Sequence, residues 1–284
     1  MTSAAAQQTG LLAGTPVVTG GHDHLCGALA VGAVETGRFL DSSGTAQSMV
    51  MPVDGFHGGG EVFARGFTCY RHVLRGRYAV QGGMNTAGGA IEWVVRLSGG
   101  DTGAYAVLFR AAEESGPGAR GVVCQPHFRG SSTPHVDAQS RGAFVGLTLE
   151  HGSGDLMRAV IEGLAFYLRL NLENMAQVGP VAEGYMLAIG GGNREPLVAQ
   201  VKADVCHRPV HVATVPEATA VGAALLAGEA VGIFADDAAA AASVVCDFRR
   251  YEPDPARSAL YDDVYHNVYL KLYPALRAMQ QPDD

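Results

Sequence analysis

Short strand-like runs alternate with helical patterns along this chain, and glycine-rich corners join them. Apolar, β-branched runs at residues 12–20, 38–42, 121–125, 185–189 and 209–213 have the length of buried strands. Helical patterns occupy 85–97, 154–175, 196–205, 217–231 and 254–278. This alternation predicts an α/β fold, a central mixed sheet flanked by helices. The helix at 254–278 carries Tyr261, Val264, Tyr265, Val268, Tyr269, Leu272 and Leu276 as one apolar stripe, so it reads as a terminal packing helix. The alanine-rich run 235–245 reads as a surface helix, and the small residues of 220–227 predict tight helix–sheet packing. Gln200, Lys202 and Asp204 are expected at solvated positions of their helix.

Several function classes drop out on composition. The 284 residues carry a net charge of −8 with no basic run, which excludes a nucleic-acid surface. Lys202 and Lys271 are the only lysines, so an anionic ligand would depend on backbone amides, helix N-termini or a metal. Five cysteines stand far apart with no CxxC pair, the pattern of reduced thiols, and this predicts a cytoplasmic protein. No stretch is apolar for long enough to span a membrane.

Three short motifs can carry chemistry. Gly20-Gly21-His22-Asp23-His24 follows the run 12–20, and glycines at a strand end would let Asp23 project into a cleft as a base for a substrate hydroxyl. Asp23 is equally suited to cap a helix. Ser43-Gly44-Thr45 ends the run 38–42 and can offer N–H groups and a hydroxyl to a phosphate, though most such turns are only turns. Gly190-Gly191-Gly192-Asn193 lies between a strand and a helix, where a nucleotide can approach the backbone; close β–α packing is the competing explanation. It lacks dinucleotide-fingerprint spacing, and no P-loop sequence occurs. His22, Asp23, His24 and Cys26 form a dense set of metal-capable groups, with His127 and His135 as distant candidates to complete a site. There is no G-x-S-x-G elbow.

Taken in order, these stretches resemble the C-terminal half of the FGGY carbohydrate kinases. The segment from Thr9 through Gly14-Thr15-Pro16 to Asp23 resembles the one bearing that family's catalytic aspartate, and Asp41 to Ala46 resembles its second phosphate turn. Ala87-Gly88-Gly89-Ala90-Ile91-Glu92-Trp93, the stretch from Pro126 to Leu147 and the helix with Asp155 and Glu162 continue the match. Gly190-Gly191-Gly192, Gln200, Ala203-Asp204 and Pro216 to Ala224 complete it. The resemblance implies an actin-like ATPase, ribonuclease-H-like fold. It implies phosphoryl transfer from ATP, with Mg2+, to a hydroxyl of a small sugar or polyol. Asp23 would be the general base and His24 a sugar contact. Gly44, Thr45, Gly88, Glu92, Gly191, Gly192 and Glu195 would form the nucleotide site, Glu92 and Glu195 standing where relatives often have amides.

Met1 falls inside the family pattern, so residues 1–284 are expected to form one nucleotide-binding domain without the family's N-terminal domain. A separate N-terminal kinase chain or self-association would then cover the exposed cleft face. A non-catalytic nucleotide-binding or interaction module and a metal-dependent hydrolase built on His22, Asp23 and His24 are the rival readings.

Overall fold

The computed structural model describes residues 1–101, 103–244 and 246–280. Its helices are α1 (Ser3–Thr9), α2 (Asp23–Ala30), α3 (Gly60–Ala64), α4 (Gly88–Leu97), α5 (Ala104–Ser115), α6 (Ser153–Met175), α7 (Pro196–Cys206), α8 (Ala218–Ala230), α9 (Asp237–Ala242), α10 (Pro255–Val264) and α11 (Leu270–Gln280). Strands β1 (Leu40–Ser43), β2 (Gln47–Val53), β3 (Thr68–Arg71), β4 (Tyr78–Met84), β7 (Met186–Ile189), β8 (Val210–Ala213) and β9 (Phe248–Tyr251) form one sheet in the order β3-β4-β2-β1-β7-β8-β9. The sheet is mixed: β1, β7 and β8 run parallel, while the remaining pairings are antiparallel. Strands β5 (Val123–Gln125) and β6 (Ala143–Val145) form a separate ribbon, so the predicted strand at 121–125 lies outside the main sheet.

Strand alternation sorts the core into two layers. Met49 and Met51 of β2 and Met186 and Ala188 of β7 face the layer built on α4, α6 and α7. Leu40, Val50, Leu187 and Ile189 face α2 and the start of α8. Helix α6 lies so close to the β5–β6 ribbon that a Cβ on Gly163 would stand 2.4 Å from the carbonyl oxygen of Cys124.

The terminal stripe packs as expected, with Tyr261, Tyr265, Tyr269 and Leu272 buried. A π-turn at Tyr265–Tyr269 joins α10 to α11; its wider winding absorbs the drift of residues spaced four apart and keeps the three tyrosines on one face. The Tyr261 hydroxyl donates to Glu162 Oε1 at 2.8 Å and accepts from Arg158 at 2.6 Å, which closes a buried ion pair on α6. The alanine-rich segment forms α9, and its last predicted residue, Val245, lies outside the described residues.

Three expectations fail. Residues 12–20 form no strand: Leu12 is 82% and Val17 73% exposed, because this run has no neighbouring strand to pair with. The small-residue helix α8 packs mainly on helix α2 and meets the sheet only at its start, near Ala218; a Cβ on Gly222 would stand 1.8 Å from the Cys26 carbonyl oxygen. Lys202 and Asp204 are buried and Gln200 is half-buried, because α7 is enclosed between the sheet, α6 and α10. Asp204 accepts hydrogen bonds from the Asp254 amide and Arg257, and so anchors the start of α10.

His72 and His127 are buried, and burial pushes each imidazole down from 6.5 to about 4. Between those values the unfolded chain binds protons that the folded chain refuses, so stability falls as pH falls. Unfolding in urea is expected to lose roughly 1 kcal/mol per pH unit for each histidine between pH 6.5 and 4.5. An unchanged stability across that interval would contradict this.

Candidate functional site

The site is built around the tip of the β1–β2 hairpin. Ser43 pairs with Gln47, and residues 44–46 close the turn with Gly44 N–H donating to Ala46 at 2.8 Å. The start of α4 is stitched to this tip. Ala87 donates to the Thr45 carbonyl at 2.8 Å and Gly88 to the Gly44 carbonyl at 3.0 Å. From the other side the turn after β7 closes in: Gly190 has φ +91°, and a Cβ there would lie 2.3 Å from the Ser43 carbonyl oxygen. Only glycine accepts both that conformation and that approach.

Between these turns opens a cleft of about 490 Å³, the size of a small-molecule site. It is lined by Gly44, Thr45, Gly88, Glu92, Gly191, Gly192 and Glu195, residues from distant parts of the chain that the family resemblance had grouped together. Because the N–H groups of Gly44 and Gly88 are already donated, these two glycines supply room and a tight seam, not free donors. Ile91, Tyr105, Phe109 and Arg194 complete the lining. In the sequence, Ile91 stood out only as part of the helix start at 87–93 and the other three not at all, although Tyr105 and Phe109, four apart, share one face of α5. Burial and the charge of Glu113 raise the Glu195 carboxyl above its ordinary value.

On the other side of the hairpin tip lies a second, more polar cleft of about 370 Å³. His22, His24, Ala46, Gln47, Ser48, Gln81 and Asn85 are among its lining residues. Asp23 is the first residue of α2, so it begins a helix and does not end a strand. Its side chain is 61% exposed; Oδ1 accepts the His24 amide at 2.8 Å and lies 3.0 Å from His22 Nδ1. Gly20 and Gly21 do not have positive φ. Gly21 is needed for a close approach instead, since a Cβ there would meet Val73 at 2.1 Å. Two contacts fix the start of α2: His24 Nδ1 lies 2.9 Å from Ser42 Oγ, and Thr219 Oγ1 donates to the Asp23 carbonyl at 3.3 Å. Burial lowers the His24 imidazole, which keeps it neutral at neutral pH.

Beneath the hairpin lies a polar network that the sequence did not reveal. Lys202 Nζ donates to Asp41 Oδ2 at 2.5 Å, Asn193 Oδ1 at 2.7 Å and Ser43 Oγ at 3.0 Å. Gln47 Nε2 donates to the same carboxylate at 2.7 Å.

Among the described residues, His22, Asp23 and His24 bring one possible ligand atom each within 4.8 Å of one another. Two imidazoles and a carboxylate suit a zinc-like ion better than magnesium. His127 and His135 line a different, very small cavity beside Tyr273 and do not join this group.

A protein-family model described as the FGGY family of carbohydrate kinases, C-terminal domain, matches residues 47–231. The chain belongs to the FGGY family of carbohydrate kinases. A xylulose kinase of Staphylococcus epidermidis is 28% identical over 273 residues, covering 96% of this chain and 54% of that protein. An autoinducer-2 kinase of Klebsiella pneumoniae is 30% identical over 280 residues, covering 93% and 51%. The crystal structure of xylulose kinase from Rhodospirillum rubrum superposes with a TM-score of 0.83 at 30% identity, covering 98% of this chain and 55% of that one. The chain thus spans about half the length of the relatives it matches, and its architecture is the actin-like one of FGGY kinases.

Two of the three glycines of the β7 turn should respond differently to substitution. Gly190→Ala is expected to destabilise the chain by about 2 kcal/mol or more. Gly191→Ala, with open space around its Cα, should stay within about 0.5 kcal/mol of the parent. Equal losses in urea denaturation would contradict the seam described above.

Proposed function

We propose that this chain is the nucleotide-binding half of an ATP-dependent carbohydrate kinase acting on a small sugar or polyol. The observation that carries this reading is the division of two clefts by the Gly44–Thr45 tip. A nucleotide in the larger cleft has its purine against Ile91, Tyr105 and Phe109 and its phosphates at Thr45 and the Gly191–Gly192 turn. Asp23 does not itself line the smaller cleft; it stands between His22 and His24, which do, and from there would meet an acceptor hydroxyl bound in that cleft. The Asp23 carboxylate takes the hydroxyl proton, the oxygen forms its bond to the γ-phosphorus, and the bond to the β-phosphate oxygen breaks to release ADP. His24, neutral and held by Ser42, contacts the sugar.

Mg2+ bound to the nucleotide neutralises phosphate charge; it takes most of its ligands from phosphates and water and asks for one or two carboxylates. Asp41 is committed to Lys202 and Gln47, and Asp23 to the role of base, so the ion would draw its ligands from phosphate and water. The xylulose named for the relatives is the first acceptor to test, and the reaction belongs to the cytoplasm. Residues 1–284 act as one FGGY C-terminal domain, and turnover needs the family's N-terminal domain as well, because phosphoryl transfer needs reactants held in line with water excluded.

Calorimetry with Mg·ADP at millimolar concentrations should detect weak binding to the chain alone, with no sugar phosphorylation. Complementation with an N-terminal FGGY domain should restore turnover, and Asp23→Asn should then lower kcat by about 10²–10⁴-fold. Robust turnover by the chain alone, or full activity of Asp23→Asn after complementation, would overturn the reading. Metal-dependent hydrolysis would instead show as stoichiometric zinc in the purified protein, lost in His22→Ala.

A further inference from the structure

We infer that Lys202 is a positioning residue for nucleotide binding: it ties together the two turns that form opposite walls of the larger cleft, without touching the cleft itself. The inference rests on the reading of that cleft as the nucleotide site. Strand β1 points Asp41 and Ser43 to the α7 side and Ser42 to the α2 side, as its twofold alternation requires. A lysine ammonium has three donors, and Lys202 spends them on three partners. Two of these, Asp41 and Ser43, lead directly into the Gly44–Thr45 turn. The third, Asn193, is fully buried at the end of the other turn.

Asn193 completes the link. Its amide nitrogen donates to the Ile189 carbonyl at 2.8 Å and the Asp41 carbonyl at 3.3 Å, so the glycine turn is held to both β7 and β1. The Ser43 hydroxyl donates to Asp41 Oδ1 at 2.9 Å while accepting from Lys202. Lys202 is 3% and Asp41 1% exposed, and neither lines the cleft. A buried ion pair is weak evidence of net stabilisation, since well-packed apolar residues often serve as well. What apolar residues cannot do is hold Ser43 and Asn193 at fixed separation through three directed bonds.

The test compares ADP affinity with thermal stability in the full chain. Lys202→Met strands a buried carboxylate, so it is expected to lower both Tm and affinity. In Asp41→Asn/Lys202→Met the buried charges are gone and the amide still accepts from Gln47. This double variant should regain most of the lost Tm while binding Mg·ADP at least about tenfold more weakly than the parent. Ser43→Ala keeps the ion pair and removes one strut; it should weaken ADP about threefold with little change in Tm. If affinity recovers along with Tm in the double variant, or Ser43→Ala binds ADP like the parent, Lys202 serves the fold alone and the inference falls. If the parent itself binds no ADP, the nucleotide reading falls and this inference with it.

Discussion

The geometry of both clefts depends on how closely three backbone segments approach one another at the end of β1. Gly88 and Gly190 each stand against a carbonyl of the hairpin tip at a distance that a Cβ would not permit, 2.8 Å for Gly44 O and 2.3 Å for Ser43 O. Glycine at these positions costs chain entropy. In return, strand, turn and helix start meet with no side chains between them, and the cleft floor is made of backbone. A third approach, α8 on α2 at Gly222, sets where Asp23 and His24 begin their helix.

Strand β1 therefore works on both faces at once. Ser42 reaches His24 on the side of the polar cleft, and Asp41 with Ser43 reaches Lys202 on the other. A displacement of this short strand would move the walls of both clefts together. Phosphoryl transfer puts a premium on such registration, since its catalysis is largely positioning and charge stabilisation.

Much of this was legible in the sequence because glycine and small residues mark close approach wherever they occur. The turns at Gly44-Thr45 and Gly191-Gly192, and Gly88, which the family resemblance implied, lie far apart in the chain, yet they line one cleft. The strands that escaped notice had local reasons to do so: β2 contains Pro52 and begins with Gln47 and Ser48, and β4 contains Gly82 and Gly83. The run 12–20 misled in the opposite direction, since β-branched residues make a strand only where a neighbour exists to pair with. Lys202 was misread because a polar residue on a helix normally faces water. Its burial is set by the partner carboxylate on β1, 161 residues away in the chain, which no local pattern reveals.

The central claim is that the hairpin tip is the wall between a nucleotide and its acceptor. Amide-resolved NMR of the chain titrated with Mg·ADP tests it most directly. The account predicts shifts concentrated at Gly44, Thr45, Gly191, Gly192, Tyr105 and Phe109, with the amides around His127 and His135 unmoved. Shifts gathered at that second, smaller cavity, or binding that leaves Thr45 and Gly191 untouched, would contradict it.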